Sequence, residues 1–330
     1  MASELVLSGV TFSGSVAKAL PVIPDLLALG FFGSGYDGIN TNRAPGGPAF
    51  GSIGNVPIFS SNYLTVGPGV TASGWTITRS GNAVSAVSAP TIGGTNYGGT
   101  VAPIFTFSGG GGSGASATPV VSGGAVTGFT SIVGGTGYTS DPTGSIFGGN
   151  ISCLDLGTPR SDLLTSGWTT ALVCRVPASG GPCVLASDKV QSGNPIGFGI
   201  LWKMQNVNTN HSSTPTLSID VAAQDNAWFS LLSSATQWRF VTLTYAGTGT
   251  GVFTMRSLSD DLSATYTNAS LSAASSQQMH LGADPYGTST QGNPDVAFAM
   301  QCGSVLDLTT QQNVYVSVKS LLARRGITVL

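Results

Sequence analysis

The stretch LGADPYGTSTQGNPDVAF, Leu281 to Phe298, is where a binding site is expected from the side chains alone. Asp284, Asn293 and Asp295 offer oxygens that can accept hydrogen bonds from a sugar or face a cation, and Tyr286 offers an apolar ring face on which a sugar ring can stack. Loops held between rigid strands carry binding groups more often than the strands themselves. An ordinary solvated turn, shaped by Pro285, Gly287 and Pro294 and capped by the aspartates, accounts for the same residues. Calcium (Ca2+) is only a minor addition: three side chains fall short of the roughly six to eight oxygens the ion takes, leaving carbonyls and water to complete the shell.

Catalytic patterns are missing. Glycoside hydrolysis needs two suitably separated carboxyl groups, and the chain has a single glutamate, Glu4, far from the candidate loop. No H-E-x-x-H or G-x-S-x-G occurs, and neither His211 nor His280 has an evident nucleophile and orienting acid nearby in sequence. The glycine run SGGGGSGAS is no phosphate cradle, because no lysine occurs between Lys18 and Lys189 to complete one. A non-enzymatic protein is expected.

Composition narrows the partners. Charged residues make up 8% of the 330, against roughly 25% in an average soluble protein, while hydrophobic residues make up 41%. Ser, Thr, Asn, Gln and backbone must therefore supply the wettable surface. Twelve Lys and Arg against fourteen Asp and Glu, without runs of either sign, give none of the basic stripe that nucleic acid requires. The start MASELVLSGVTFSGS has no basic region leading into an apolar one, so no secretory signal is expected. ALPVIPDLLALGFF is cut by Pro21, Pro24 and Asp25 and is too short to cross a bilayer, so no membrane insertion is expected.

Four cysteines, Cys153, Cys174, Cys183 and Cys302, lack metal-ligand spacing and read as buried thiols. Cys174 and Cys183 flank RVPASGGP, a hairpin-like turn across which a disulfide is an open alternative. Trp202 in ILWKM and Trp228 in NAWFS read first as core residues, since isolated aromatics in strand runs usually face the interior; stacking on a sugar at the surface is the alternative.

These groups need a framework, and its most distinctive part is a repeat. SGNAVSAVSAPTIGGTNY (Ser80 to Tyr97) aligns with SGGAVTGFTSIVGGTGY (Ser122 to Tyr138), with Ala-Val, Gly-Gly-Thr and Tyr recurring after a one-residue slip. A period near forty residues marks repeated supersecondary units, here β, with Tyr97 and Tyr138 filling equivalent places. GGTGYTSDP and the preceding GGGGSGASATPVVSGGAVTGF resemble a Gly-Thr-Gly-Tyr...Pro repeat of bacteriophage tail and fibre proteins, over residues 80 to 149.

Beyond Asn150, strand-like runs follow closely: WTTALVCRV, PCVLAS, IGFGILWKM, TLSIDVAA, WFSLLSS, RFVTLTYAG, GVFTMRSL and VAFAMQCGSVL. QWRFVTLTYAGTGTGVFTMRS describes a hairpin. The tail predicts one helix near Thr310 to Arg325, with Asp307 and Thr309 as caps, Val314, Val318, Leu321 and Leu322 on one face, and Gly326 as the stop. The order of these runs resembles a concanavalin A-like or laminin-G-like jelly roll over residues 150 to 330, carried by Trp168, Trp238, Tyr245, Leu281, Gly282, Leu306 and Leu308.

The expected architecture is all-β, an antiparallel β-sandwich with a Gly-rich β-repeat module and one short C-terminal helix. Its divisions are 1–79, an N-terminal arm or the first strands of the sandwich; 80–149, the repeat module, an insertion if the first strands precede it; and 150–330, the jelly roll. The two resemblances together imply a virion protein of a bacteriophage, assembled in the host cytoplasm and placed on a tail fibre, spike or other exposed appendage. They imply other virion proteins as partners, a homo-oligomer of trimeric type and a host surface glycan as ligand. A capsid decoration or head fibre protein without a receptor is the structural alternative, and a glycan depolymerase the enzymatic one.

Overall fold

A computed structural model describes residues 20–23, 25–33, 41–54, 58–59, 63–65, 69–97, 102–147, 149, 152–159, 167–178, 183–187, 200–208, 214–221, 224–246, 251–268, 278–282 and 293–330. Among them four short N-terminal strands come first: β1 (Leu26–Phe31), β2 (Gly51–Gly54), β3 (Ile58–Phe59) and β4 (Leu64–Thr65). The glycine-rich segment follows with β5 (Ile77–Ser80), β6 (Ala83–Val87), β7 (Ile104–Ser108), β8 (Ser113–Ser122), β9 (Ala125–Thr136) and β10 (Thr143–Phe147). Then come β11 (Ser152–Pro159), β12 (Trp168–Arg175), β13 (Cys183–Ser187), β14 (Ile200–Asn208), β15 (Thr214–Val221) and β16 (Gln224–Ser230). The chain continues through β17 (Arg239–Ala246), β18 (Gly251–Ser257), β19 (Leu262–Asn268), β20 (Gln278–Leu281) and β21 (Asp295–Cys302), and ends in helix α1 (Leu308–Ala323).

The protein is an antiparallel β-sandwich. Its first sheet runs β19-β18-β17-β12-β21-β4-β3, with β1 also on β21, and its second runs β16-β15-β14-β13-β20-β11-β2. The N-terminal strands enter both sheets: β1 and β4 pair with different stretches of β21, and β2 pairs with β11. The Gly-rich module lies between β4 and β11 in the chain and has its own two-stranded and four-stranded sheets.

Alternation along the central strands explains the layering. In β12, Trp168, Leu172 and Cys174 point into the core between the sheets, whereas Ala171 and Val173 point into a second core on the far side. β17 divides likewise, with Val241, Leu243 and Tyr245 on one face and Phe240 on the other. Strands buried on both faces need a third layer, and α1 supplies it through Val314, Val318 and Leu322. β18 lies one strand further out and returns to plain alternation, with Phe253 and Met255 inside and Val252 exposed.

The helix begins where its capping chemistry dictates. Asp307 accepts from the Thr310 N–H at 2.6 Å, and Gln311 returns its side-chain amide to the Leu306 carbonyl at 2.7 Å. Gly326 takes a φ of 76° just beyond the helix, where the chain turns so that Ile327 N–H reaches the Leu322 carbonyl at 3.0 Å. The helix thus starts two residues before the predicted Thr310, and Leu321 is half-buried while Leu322 is fully buried.

β12 and β13 belong to opposite sheets, so Cys174 and Cys183 do not lie on the paired strands of a hairpin. Cys174 and Cys183 are thiols in the inter-sheet core and form no disulfide, and Cys153 and Cys302 are likewise buried outside any disulfide. Burial disfavours the thiolate and pushes Cys183 up to about 12; Cys174 and Cys302 are raised for the same reason.

Candidate functional site

The outer face of the second sheet is built by strand parity. Trp202, Met204, Leu217, Ile219 and Ala227 turn inward to the core, so their neighbours Lys203, Ser218 and Trp228 turn outward. Register then sets these side by side: Val184 opposite Lys203, Lys203 opposite Ser218, Ser218 opposite Trp228. The next row on that face is Gln205, Thr216 and Ser230. Thr214 and Ser230 hydroxyls lie 2.9 Å apart at its end.

Trp228 sits on the edge strand β16 and is 43% exposed, whereas Trp202 is sealed in the core. The two tryptophans read alike in the sequence and part company here. The Trp228 indole thus keeps part of its apolar ring in contact with water. Ser218 beside it is buried, so the polar groups that accompany the indole at the surface are the exposed Ser230 and, along the same cross-strand row, the half-buried Lys203. That combination suits a ring with an apolar side and hydroxyl edges.

The same sheet brings together a row that sequence reasoning missed. Asp155 on β11 pairs with His280 on β20, and His280 pairs with Ser187 on β13. Their neighbours Leu154, Leu156, Met279, Leu281 and Ala186 face the core, placing the three on the opposite face. Ser187 and His280 are nonetheless buried, and Asp155 Oδ1 accepts from the Gly157 N–H at 2.8 Å. A nucleophile must meet its substrate, and a buried serine does not present one at the surface. Nothing local marks this row, since its members stand up to 125 residues apart and meet only through register.

The loop residues expected to bind are placed only in part. Asn293 is exposed, and Asp295 opens β21. Asp284 and Tyr286 lie outside the described residues. Asp295 Oδ2 accepts from Arg175 Nε at 2.8 Å, across the β12–β21 pair. The Arg175 guanidinium lies over two rings, 4.6 Å from the Trp238 centroid and 5.0 Å from that of Tyr63. Those rings meet edge-on at 5.4 Å. Among the described residues no group of three or more His, Cys, Asp or Glu is placed to hold a metal ion, and no helix is long and apolar enough to cross a membrane.

No family model matches the sequence, and no curated protein matches it. Among solved structures, the chain is similar to the Emp47p carbohydrate recognition domain, at 11% identity and TM-score 0.31, over 47% of this chain and 78% of that one. It is similar to the botulinum neurotoxin serotype C1 binding domain, at 12% identity and TM-score 0.34, over 52% of this chain and 41% of that one. A Trypanosoma rangeli sialidase mutant displaying trans-sialidase activity matches at 11% identity and TM-score 0.35, over 52% of this chain and 27% of that one. Likenesses at these values define neither a family nor a ligand.

Proposed function

We propose that the protein is a non-enzymatic structural component of a bacteriophage virion, on a tail fibre, spike or other exposed appendage, and that its sandwich holds a host surface glycan. The observation that carries glycan binding is the exposed indole of Trp228 with the exposed Ser230 two residues on and the half-buried Lys203 along its cross-strand row. A sugar stacks its apolar face on such a ring while its hydroxyls exchange hydrogen bonds at the rim. The particle assignment is supported by the resemblance of the Gly-Thr-Gly-Tyr segment to phage tail and fibre repeats, and with it come a homotrimeric assembly and other virion proteins as partners.

The loop from Asp284 to Asp295 is assigned as a second contact, with Tyr286 stacking and Asn293 donating. Calcium takes at most a secondary part there, because one Asp295 oxygen is already engaged by Arg175. The test is a glycan array and host-cell adsorption with parent, Trp228→Ala and Tyr286→Ala proteins, with and without chelator. Loss of binding in either variant at unchanged thermal stability supports that contact; parent-like binding removes it. Antibody labelling of intact particles tests the location. Label on the appendage supports the assignment, and label on the head replaces it with capsid decoration.

A further inference from the structure

The two copies of the glycine repeat touch each other through the same atoms in both directions. Tyr97 N–H donates to the Gly124 carbonyl at 3.0 Å, and Tyr138 N–H donates to the Asn82 carbonyl at 3.0 Å. In the alignment of the copies Tyr97 matches Tyr138, and Asn82 in Ser-Gly-Asn-Ala-Val matches Gly124 in Ser-Gly-Gly-Ala-Val. Each tyrosine therefore reads the hairpin turn of the other copy. The glycines repeat the exchange. A Cβ on Gly93 would fall 2.9 Å from the Val126 carbonyl oxygen, and one on its match Gly134 would fall 2.6 Å from that of Val84.

Two further relations obey the same operation. Gly110 approaches Pro142 while its match Gly149 approaches Pro103, the prolines that precede β10 and β7. β7 and β10 then pair antiparallel with Thr106 opposite Ser145, Phe105 opposite Ile146 and Phe107 opposite Gly144. Counting from Pro103 and Pro142, Thr106 and Ser145 occupy the same place in their copies, so like meets like on the axis. Tyr97, Tyr138, Val84, Val126, Phe105 and Ile146 share one core drawn from both copies.

We infer that the module is a two-fold pair of like units closed within one chain, and that the partner each unit fits is another unit of the same kind, including one from a second copy of this chain. An interface in which residue i meets j and j meets i is self-complementary, the defining property of a two-fold contact between separate subunits. What keeps it inside one chain is the connection from β7 to β8, the four glycines Gly109 to Gly112. Gly109 and Gly111 take φ values of 74° and 77°, which proline, fixed near −65°, cannot adopt.

The test is the full-length Gly109→Pro/Gly111→Pro protein, read by light scattering against the parent. One preparation carries Thr106→Cys and a second Ser145→Cys, and the two are refolded together in reductant and oxidised only once folded. The four native cysteines are buried in the sandwich, outside the module. The expected result is a doubled mass and a covalent heterodimer with the proline turn. With the native turn, both cysteines placed in one chain bond within that chain, and Gly109→Asn/Gly111→Asn, which tolerates positive φ, keeps the parent's mass. A proline variant that keeps the parent's mass without an interchain disulfide overturns the inference. So does one that loses the near-ultraviolet aromatic signal of the module without gaining mass.

Discussion

Arg239 and Asp260 meet at 2.8 Å with side chains 0% and 3% exposed. Arg239 also donates to the carbonyls of Ser233 and Ser234, and Asp260 accepts from Ser257 Oγ at 2.5 Å. The pair fastens the start of β17 to the turn between β18 and β19. Removing one member strands a buried charge, at a cost of about 3–5 kcal/mol. Asp260→Ala should lower the melting temperature by about 10 °C, taking roughly 2–4 °C per kcal/mol for a domain of this size. Replacing both members with Arg239→Met/Asp260→Leu should recover most of that in a thermal melt.

Gly137 and Asn96 occupy matched places before the two buried tyrosines, with φ of 81° and 65°. Asparagine tolerates this region and β-branched residues resist it. Gly137→Asn should leave stability within about 1 kcal/mol, whereas Gly137→Val should cost about 1–3 kcal/mol or more. Denaturant titration distinguishes them, and equal losses would count against the equivalence.

Buried thiols make stability depend on alkaline pH. Cys183 is raised from its ordinary 9 to about 12 by burial, so the folded state holds its proton more tightly than the unfolded chain does. Its contribution is intact below about pH 9 and is lost between there and about pH 12, at about 1.4 kcal/mol per pH unit for each such thiol. Urea midpoints should hold from pH 8 to about 9 and fall from there to pH 11, and Cys183→Ala should make the fall shallower, Cys174 and Cys302 supplying the rest. A thiol reagent at pH 8 should label none of the four cysteines until the protein unfolds.

Asp295 holds Arg175 over Trp238. In Asp295→Ala the guanidinium is released from one side, so tryptophan emission should shift and the melting temperature fall by a few degrees. Asn293→Ala, at an exposed position, should change neither. Fluorescence and thermal melts of the two variants together separate a structural effect at this loop from a binding one.

Local signals carried much of the fold. The β17–β18 hairpin, the helix with Asp307 at its start and Gly326 past its end, and the paired burial of Tyr97 and Tyr138 all rest on short-range chemistry visible in the residues themselves. What depends on pairing partners was not legible. In Ala227-Trp228-Phe229 every side chain is apolar, so no alternation tells which faces out until β15 fixes the register. RVPASGGP has the letters of a hairpin turn, and only the assignment of β12 and β13 to different sheets shows that the strands on either side of it are not paired. The Asp155, His280 and Ser187 row is likewise a product of register among three distant strands.

The central claim, that the outer face of the second sheet binds a glycan through Trp228, is tested most directly by host-cell adsorption of Trp228→Ala beside the parent. Stacking of the order of 1 kcal/mol or more on an aromatic ring predicts that adsorption weakens by about fivefold or more, with an unchanged melting temperature and little dependence on salt for a neutral glycan. Adsorption equal to that of the parent would contradict the account.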